Sequence, residues 1–376
     1  MWSSYASATS LSTATNYIMK SDSVFTHTYR AHIKMAECGK MELKFWCSNL
    51  VDSTWADGSE SRANLPGGLW KIEAAYIADG GRLPDGSVVE GTQIPVTFDS
   101  SMARTALPGE TFWSDAAEIT IPEEHYLAFS WTITTLASGD SFPYNTEAPL
   151  VPAYDAPGNA AGQTSAGGFR KSANCLFLPD FIGCKRKEAR RLAFFGDSIT
   201  QGVRTRPDTY EYWVARIAEK LAPTHSVWNI GSGWARAYDA ASDGAWLHKA
   251  KQNDEVVVAL GVNDMTAGRS ATQVLEDLQT IVAKLKGSRN GMSVILCTVP
   301  TFNFTGSEEL VWRHVNQAIR SHAISGVDRV FDIAKVLSQA ATRDNLLMPE
   351  YLSEGGDPHP NGKAGSAIAA AFLSWY

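Results

Sequence analysis

LAFFGDSITQG, residues 192–202, runs from four apolar residues into a glycine, an aspartate and a serine. The run 192–195 is short and continuously apolar, the pattern of a strand buried on both faces of a parallel sheet. Its end at Gly196 puts Ser198 at the carboxyl edge of that sheet, where open α/β sheets bind their ligands. A hydroxyl held there is placed for nucleophilic attack. It is equally placed to N-cap the helix that follows. The stretch thus decides a fold class and leaves its serine with two readings.

Working outward, further apolar runs at 227–230, 255–260, 294–298 and 329–331 alternate with helical stretches at 210–221, 271–286, 308–322 and 362–375. Five strands with interleaved helices predict a three-layer α/β/α domain over 186–376, its parallel sheet in flavodoxin-like order. Upstream the period changes to two. From Phe25 the odd positions (Phe25, Tyr29, Ile33, Met35) are mostly apolar and the even ones polar, and Met41, Leu43, Phe45 and Cys47 alternate again after the turn at 37–40. This pattern predicts a hairpin. Strand-like runs at 69–77, 94–98, 118–121 and 126–134 extend it to an antiparallel β-sandwich of jelly-roll type over 1–185. Residues 138–175 are rich in Gly, Ala, Ser and Pro without any period, and read as a long loop able to reach over a neighbouring site.

Composition bounds the rest. A length of 376 residues allows two or three domains, each with its own core. The net charge of −7 gives no electrostatic case for nucleic acid or an anionic membrane as partner. The basic run KRKEARR at 185–191 reads as a solvated linker entering a strand. No segment has the apolar length of a membrane span. The start MWSSYASATS lacks the features of a secretory signal, so the expectation is a cytoplasmic protein or a processed mature form. Five cysteines without metal-ligand spacing fit reduced thiols, with a Cys175–Cys184 pairing left open. No metal site is expected.

Residues at the strand ends converge even when distant in sequence. The first strand presents Ser198, the second runs into NIGSGW at 229–234, the third into GVND at 261–264, and the last helix is preceded by GDPHPN at 356–361. Acyl transfer needs this inventory. A serine becomes nucleophilic when a base such as neutral histidine takes its proton. The tetrahedral intermediate then needs fixed donors for its oxyanion. The N–H groups of Ser198 and Gly233 with the Asn263 amide offer three, and Gly231 competes with Gly233 for the second place.

These blocks resemble the GDSL/SGNH hydrolase superfamily of esterases and lipases. FGDSIT at 195–200 is similar to its nucleophile block, GVND at 261–264 to its GxND block, and DPHPNG at 357–362 to its DxxHP block. The resemblance spans about residues 190–376. It implies Ser198 as nucleophile, Gly233 and Asn263 as oxyanion donors, His359 as general base and acid, and no cofactor. The family acid lies three residues before the histidine, where this chain has Gly356; Asp357 lies two before. Either Asp357 reaches the imidazole or a backbone carbonyl orients it.

Neighbouring residues carry weaker signals. Asp264 is read as bonding nearby backbone, and Arg204, Arg206 and Arg236, close in sequence to Ser198 and Gly233, as surface or ion-pair residues or as contacts to an anionic substrate group. Arg204, Trp234 and Trp246 are candidate substrate contacts, the tryptophans as faces on which a sugar ring stacks. A β-sandwich ahead of such a hydrolase resembles the layout of some carbohydrate esterases. That implies deacetylation of an O-acetylated sugar or oligosaccharide. The rivals are a lipid esterase or thioesterase, a glycosidase using Asp197, Asp264 or Asp357, and a non-catalytic glycan-binding protein.

Overall fold

The computed structural model describes residues 2–146, 150–173, 176–186 and 190–376. The chain divides into two compact units, Met1–Val51 with Glu60–Ala189 and Asp52–Ser59 with Arg190–Tyr376. Residues 52–59, which alternation alone assigns to the β-rich half, thus belong to the α/β unit.

The first unit is antiparallel. One sheet is built around Gly39–Ser48, flanked by Phe181–Lys185 on one side and by Thr111–Trp113 and Ala117–Ile121 on the other. The other sheet is centred on Leu127–Thr135 between Thr26–Ile33 and Trp70–Asp79. Phe45 of the first sheet meets Phe129 of the second with ring centroids 5.0 Å apart, so the inward faces share a core. Trp70, Trp131, Phe142 and Phe177 extend it as an aromatic cluster. Each fully buried Phe of this kind contributes about 1.5–3 kcal/mol.

Two expectations change here. Thr26–Ile33 and Gly39–Ser48 do not form a hairpin, because each pairs with other strands in a different sheet. Alternation specifies which face of a strand is buried and is silent on its neighbour, so an arch between sheets satisfies it as well as a tight turn. The 138–175 stretch is also not one uninterrupted loop. It holds Ser141–Tyr144, paired with Tyr17–Lys20, and Ala153–Pro157, paired with Thr26–Ile33. These strands are too short to show a period. Cys175 lies outside the described residues, as do 187–189 of the basic run; Cys38 and Cys297 are free thiols.

The second unit carries a five-stranded sheet whose described pairs are all parallel. Its spatial order is His225–Asn229, Arg190–Gly196, Glu255–Ala259, Ser293–Cys297, Arg329–Phe331. Numbered along the chain this is 2-1-3-4-5, the flavodoxin-like order. The central strand Glu255–Ala259 is completely buried, as at Val256, Val257 and Val258. Right-handed crossovers leave the first strand in opposite directions across the sheet, so the helices divide between its two faces. Trp213–Leu221 accordingly packs with the final helix Gly362–Trp375, and Ala237–Ala241 packs with Ala271–Lys286. The order reverses at Arg190–Gly196, which opens the crevice at that strand's carboxyl end. Among the described residues no helix is long and apolar enough to cross a membrane.

Candidate active site

Ser198 opens the one-turn helix Ser198–Gln201, and its neighbour Asp197 is the N-cap, with Oδ1 accepting from the Ile199 N–H at 3.0 Å. The serine is therefore not used as the cap. Its N–H lies in the first turn, where helical N–H groups have no intrahelical acceptor. Gly196 is required for this turn, since a Cβ there would come within 2.1 Å of Thr200 Oγ1 and 2.6 Å of the Ala259 carbonyl.

The histidine arrives from the other end of the chain. Asn361 caps the last helix by accepting from the Lys363 and Ala364 N–H groups, and its own amide donates to the carbonyls of Glu350 and Leu352. This knot fixes the preceding turn. His359 is thereby held with Nε2 3.0 Å from Ser198 Oγ and Nδ1 2.6 Å from Asp357 Oδ1. With the Nδ1 proton donated to the carboxylate, Nε2 presents its lone pair to the serine hydroxyl. Asp357 Oδ1 also accepts the His359 backbone N–H at 2.9 Å. Burial of the imidazole lowers its pKa, the Asp357 carboxylate raises it and the Arg204 charge lowers it again, and the net shift is downward. Neutral His359, the form that accepts a proton, therefore persists below its ordinary value of about 6.5.

The second strand end separates its two glycines. The Gly231 N–H donates to Asn229 Oδ1 at 3.0 Å, and a Cβ at 231 would meet the Gln201 nitrogen at 2.3 Å. Gly231 is thus a packing glycine with a committed donor, and Gly233 is the remaining member of the pair. From the third strand, Asn263 Nδ2 donates one hydrogen to the Ala235 carbonyl at 3.0 Å. An amide nitrogen carries two hydrogens, so this bond orients the second. Asp264 accepts from the Ala237 and Tyr238 N–H groups and, like Asp197, is buried. Burial raises the Asp264 carboxyl to about 6 and that of Asp197 to about 7.

The substrate-contact candidates fare differently. Trp234 is 43% exposed, with φ at 65°. Trp246 is 1% exposed, stands edge-on to Phe195 and donates Nε1–H to the Ile230 carbonyl. No face of its ring is offered to a ligand, so that expectation is corrected: filling space under the sheet explains it. Arg204 Nε donates to Asp357 Oδ2 at 3.0 Å, so its guanidinium is engaged by the carboxylate rather than held apart for substrate. Arg206 pairs with Glu211 and Arg236 with Asp239.

Several neighbours carry no sequence signal. Phe302 stands edge-on to the His359 ring at 5.0 Å, and the Ser353 hydroxyl donates to the His359 carbonyl. The segment Asp52–Ser59 lies against the loop that bears Gly233. The fully buried Asp52 pairs with the fully buried Lys249, Ser53 Oγ is 2.7 Å from Ser232 Oγ, and Thr54 Oγ1 donates to Asp239. Trp55 meets Trp234 with ring centroids 5.7 Å apart.

A flavodoxin-like sheet with a serine, an imidazole and a carboxylate chained at its carboxyl edge defines an ester hydrolase. Residues 194–365 match the model of the GDSL-like Lipase/Acylhydrolase family. No curated protein matches the sequence. Among solved structures, the chain is similar to a lipolytic protein of the G-D-S-L family from Desulfitobacterium hafniense DCB-2. The two share 20% identity at a TM-score of 0.40, over 50% of this chain and 99% of that one. It is also similar to a family two carbohydrate esterase from Clostridium thermocellum, at 11% identity and a TM-score of 0.38, over 95% of this chain and 97% of that one.

Proposed function

We propose that the protein hydrolyses short acyl esters, acetyl above all, carried on a carbohydrate, through an acyl-enzyme on Ser198. The observation that carries the chemistry is the chain of hydrogen bonds from Ser198 Oγ through His359 to Asp357. His359 takes the hydroxyl proton as Oγ attacks the ester carbonyl carbon. The negative charge moves to the carbonyl oxygen, which meets the N–H groups of Ser198 and Gly233 and the second hydrogen of Asn263 Nδ2. Collapse breaks the bond to the sugar oxygen, and His359 gives that oxygen its proton. Water then attacks the acyl group by the same route, returning the serine and releasing the acid. No step requires a cofactor.

The carbohydrate part of the reading rests on Trp234 and Trp55. An exposed tryptophan one residue beyond the proposed oxyanion glycine offers an apolar face suited to the C–H face of a sugar ring. Its left-handed backbone is costly for a bulky residue and is kept where the surroundings demand it. The free thiols of Cys38 and Cys297 fit a reducing, cytoplasmic compartment.

The test is acetate release from a panel of acetylated sugars and short-chain aryl esters by wild type and Ser198→Ala. The expected result is loss of about 10⁴-fold or more in the variant, with acetylated sugars preferred by wild type. Equal release by both proteins would refute the mechanism. Preference for long acyl chains would favour a lipid esterase instead.

A further inference from the structure

Asp357 reaches the imidazole from only two residues away, and its Oδ1 takes both the Nδ1–H and the backbone N–H of His359. Both of these bonds fall on one oxygen, so neither of them holds the other oxygen. The second oxygen, Oδ2, accepts from Arg204 Nε at 3.0 Å. Arg204 comes from the nucleophile's own loop. It follows the nucleophile's helical turn by two residues beyond its left-handed cap, Gly202, and itself adopts φ 70°. That conformation costs a non-glycine residue about 1 kcal/mol or more and persists where contacts impose it. The Ser353 hydroxyl lies between the carbonyls of His359 (2.8 Å) and Arg204 (3.4 Å), tying the same two loops a second time.

We propose that Arg204 is a positioning residue that clamps Asp357 from the nucleophile's own loop, fixing the carboxylate against His359 and keeping that loop in register with Ser198. The inference rests on the acyl-transfer reading above. The groups facing the His359 imidazole are the Asp357 carboxylate, the Ser198 hydroxyl, the Phe302 ring edge and, behind the carboxylate, the Arg204 guanidinium. Burial lowers the imidazole pKa, Asp357 raises it, and the positive charge of Arg204 lowers it again. The clamp therefore orients the carboxylate while tempering how strongly it favours protonated histidine.

The rival role for Arg204, 56% exposed in its side chain, is to grip an anionic substrate. An exposed pair of this kind contributes at most about 1 kcal/mol to stability, so Arg204→Ala is expected to fold. The experiment is a pH profile of kcat and kcat/KM for 4-nitrophenyl acetate, an uncharged ester, with wild type, Arg204→Ala and Arg204→Lys. Arg204→Ala is expected to lower kcat about ten- to a hundredfold with KM little changed. Its acidic limb should move to higher pH, because the imidazole has lost a neighbouring cation. Arg204→Lys keeps the charge and should hold the limb near wild type while recovering only part of kcat. A wild-type kcat and limb in Arg204→Ala, or a change in KM alone, would overturn the clamp. Absence of ester hydrolysis in wild type would instead refute the acyl-transfer reading itself, so the two failures are distinct.

Discussion

The carboxyl ends of the parallel strands and the short segment Asp52–Ser59 hold the same loop, and they do so with opposite kinds of sequence. At the strand ends each functional position demands one residue type. Under the proposed acyl transfer only a hydroxyl, an imidazole and an amide will serve at 198, 359 and 263, and each is set in a run that marks a turn. Along 52–59 the requirement is complementarity alone. An aspartate meets a lysine, a serine meets a serine, a threonine meets an aspartate and a tryptophan meets a tryptophan. Chemistry therefore leaves a signature in sequence, whereas support for that chemistry leaves almost none.

The sharpest way to break this comparison is to remove the anchor. Asp52 and Lys249 are both fully buried, 2.6 Å apart. Asp52→Ala takes its carboxylate away from a fully buried ammonium, a loss of about 3–5 kcal/mol, read as a lowered urea midpoint. The double variant Asp52→Leu with Lys249→Met removes both charges and is expected to regain most of that stability. If Asp52→Ala unfolds like wild type, the segment is a passenger and the likeness between the two supports is lost.

The next effect belongs to the strand ends. Asn263→Ala deletes the amide that the Ala235 carbonyl aims and should lower kcat about 10²–10³-fold. KM should change little, because the amide meets charge that develops only in the transition state. The protein should fold as before, with Asn263 lying at the surface of the crevice. A fall in kcat with intact stability, set against Asp52→Ala, would separate reacting groups from their supports.

The same contrast explains what was legible. The 2-1-3-4-5 sheet could be read because helix-length crossovers of fixed hand leave few ways to order parallel strands. The antiparallel half resisted. Gly39–Ser48 buries its alternating Met41, Leu43 and Phe45, but Thr26–Ile33 also buries the polar Thr28, Arg30 and His32, and nothing in the alternation says that the two strands lie in different sheets. At the site, Ser198, Asn263 and His359 stood out as reactive types at strand ends. Trp246 misled, because a buried and an exposed tryptophan look alike in sequence, and burial is what separates it from Trp234. Arg204 was visible as a charge near Ser198 but its partner was not, since Asp357 lies 153 residues away.

The smallest effect tests the comparison most finely. Ser53 Oγ and Ser232 Oγ share a buried hydrogen bond of 2.7 Å, and Ser53 Oγ also lies 3.5 Å from the Gly233 carbonyl. Ser53→Ala removes one hydroxyl and takes a hydrogen-bond partner from the buried Ser232, a cost of about 1–3 kcal/mol. If the segment only anchors the fold, this appears wholly as a lowered melting temperature, with kcat at its wild-type value. If it also holds the peptide that follows the oxyanion glycine, kcat falls several-fold while KM stays put. The second result is expected, because the hydrogen bond falls one residue before Gly233, too close for its loss to be absorbed without moving that N–H. A Ser53→Thr variant keeps the hydroxyl and should recover kcat, which a purely steric explanation would not allow.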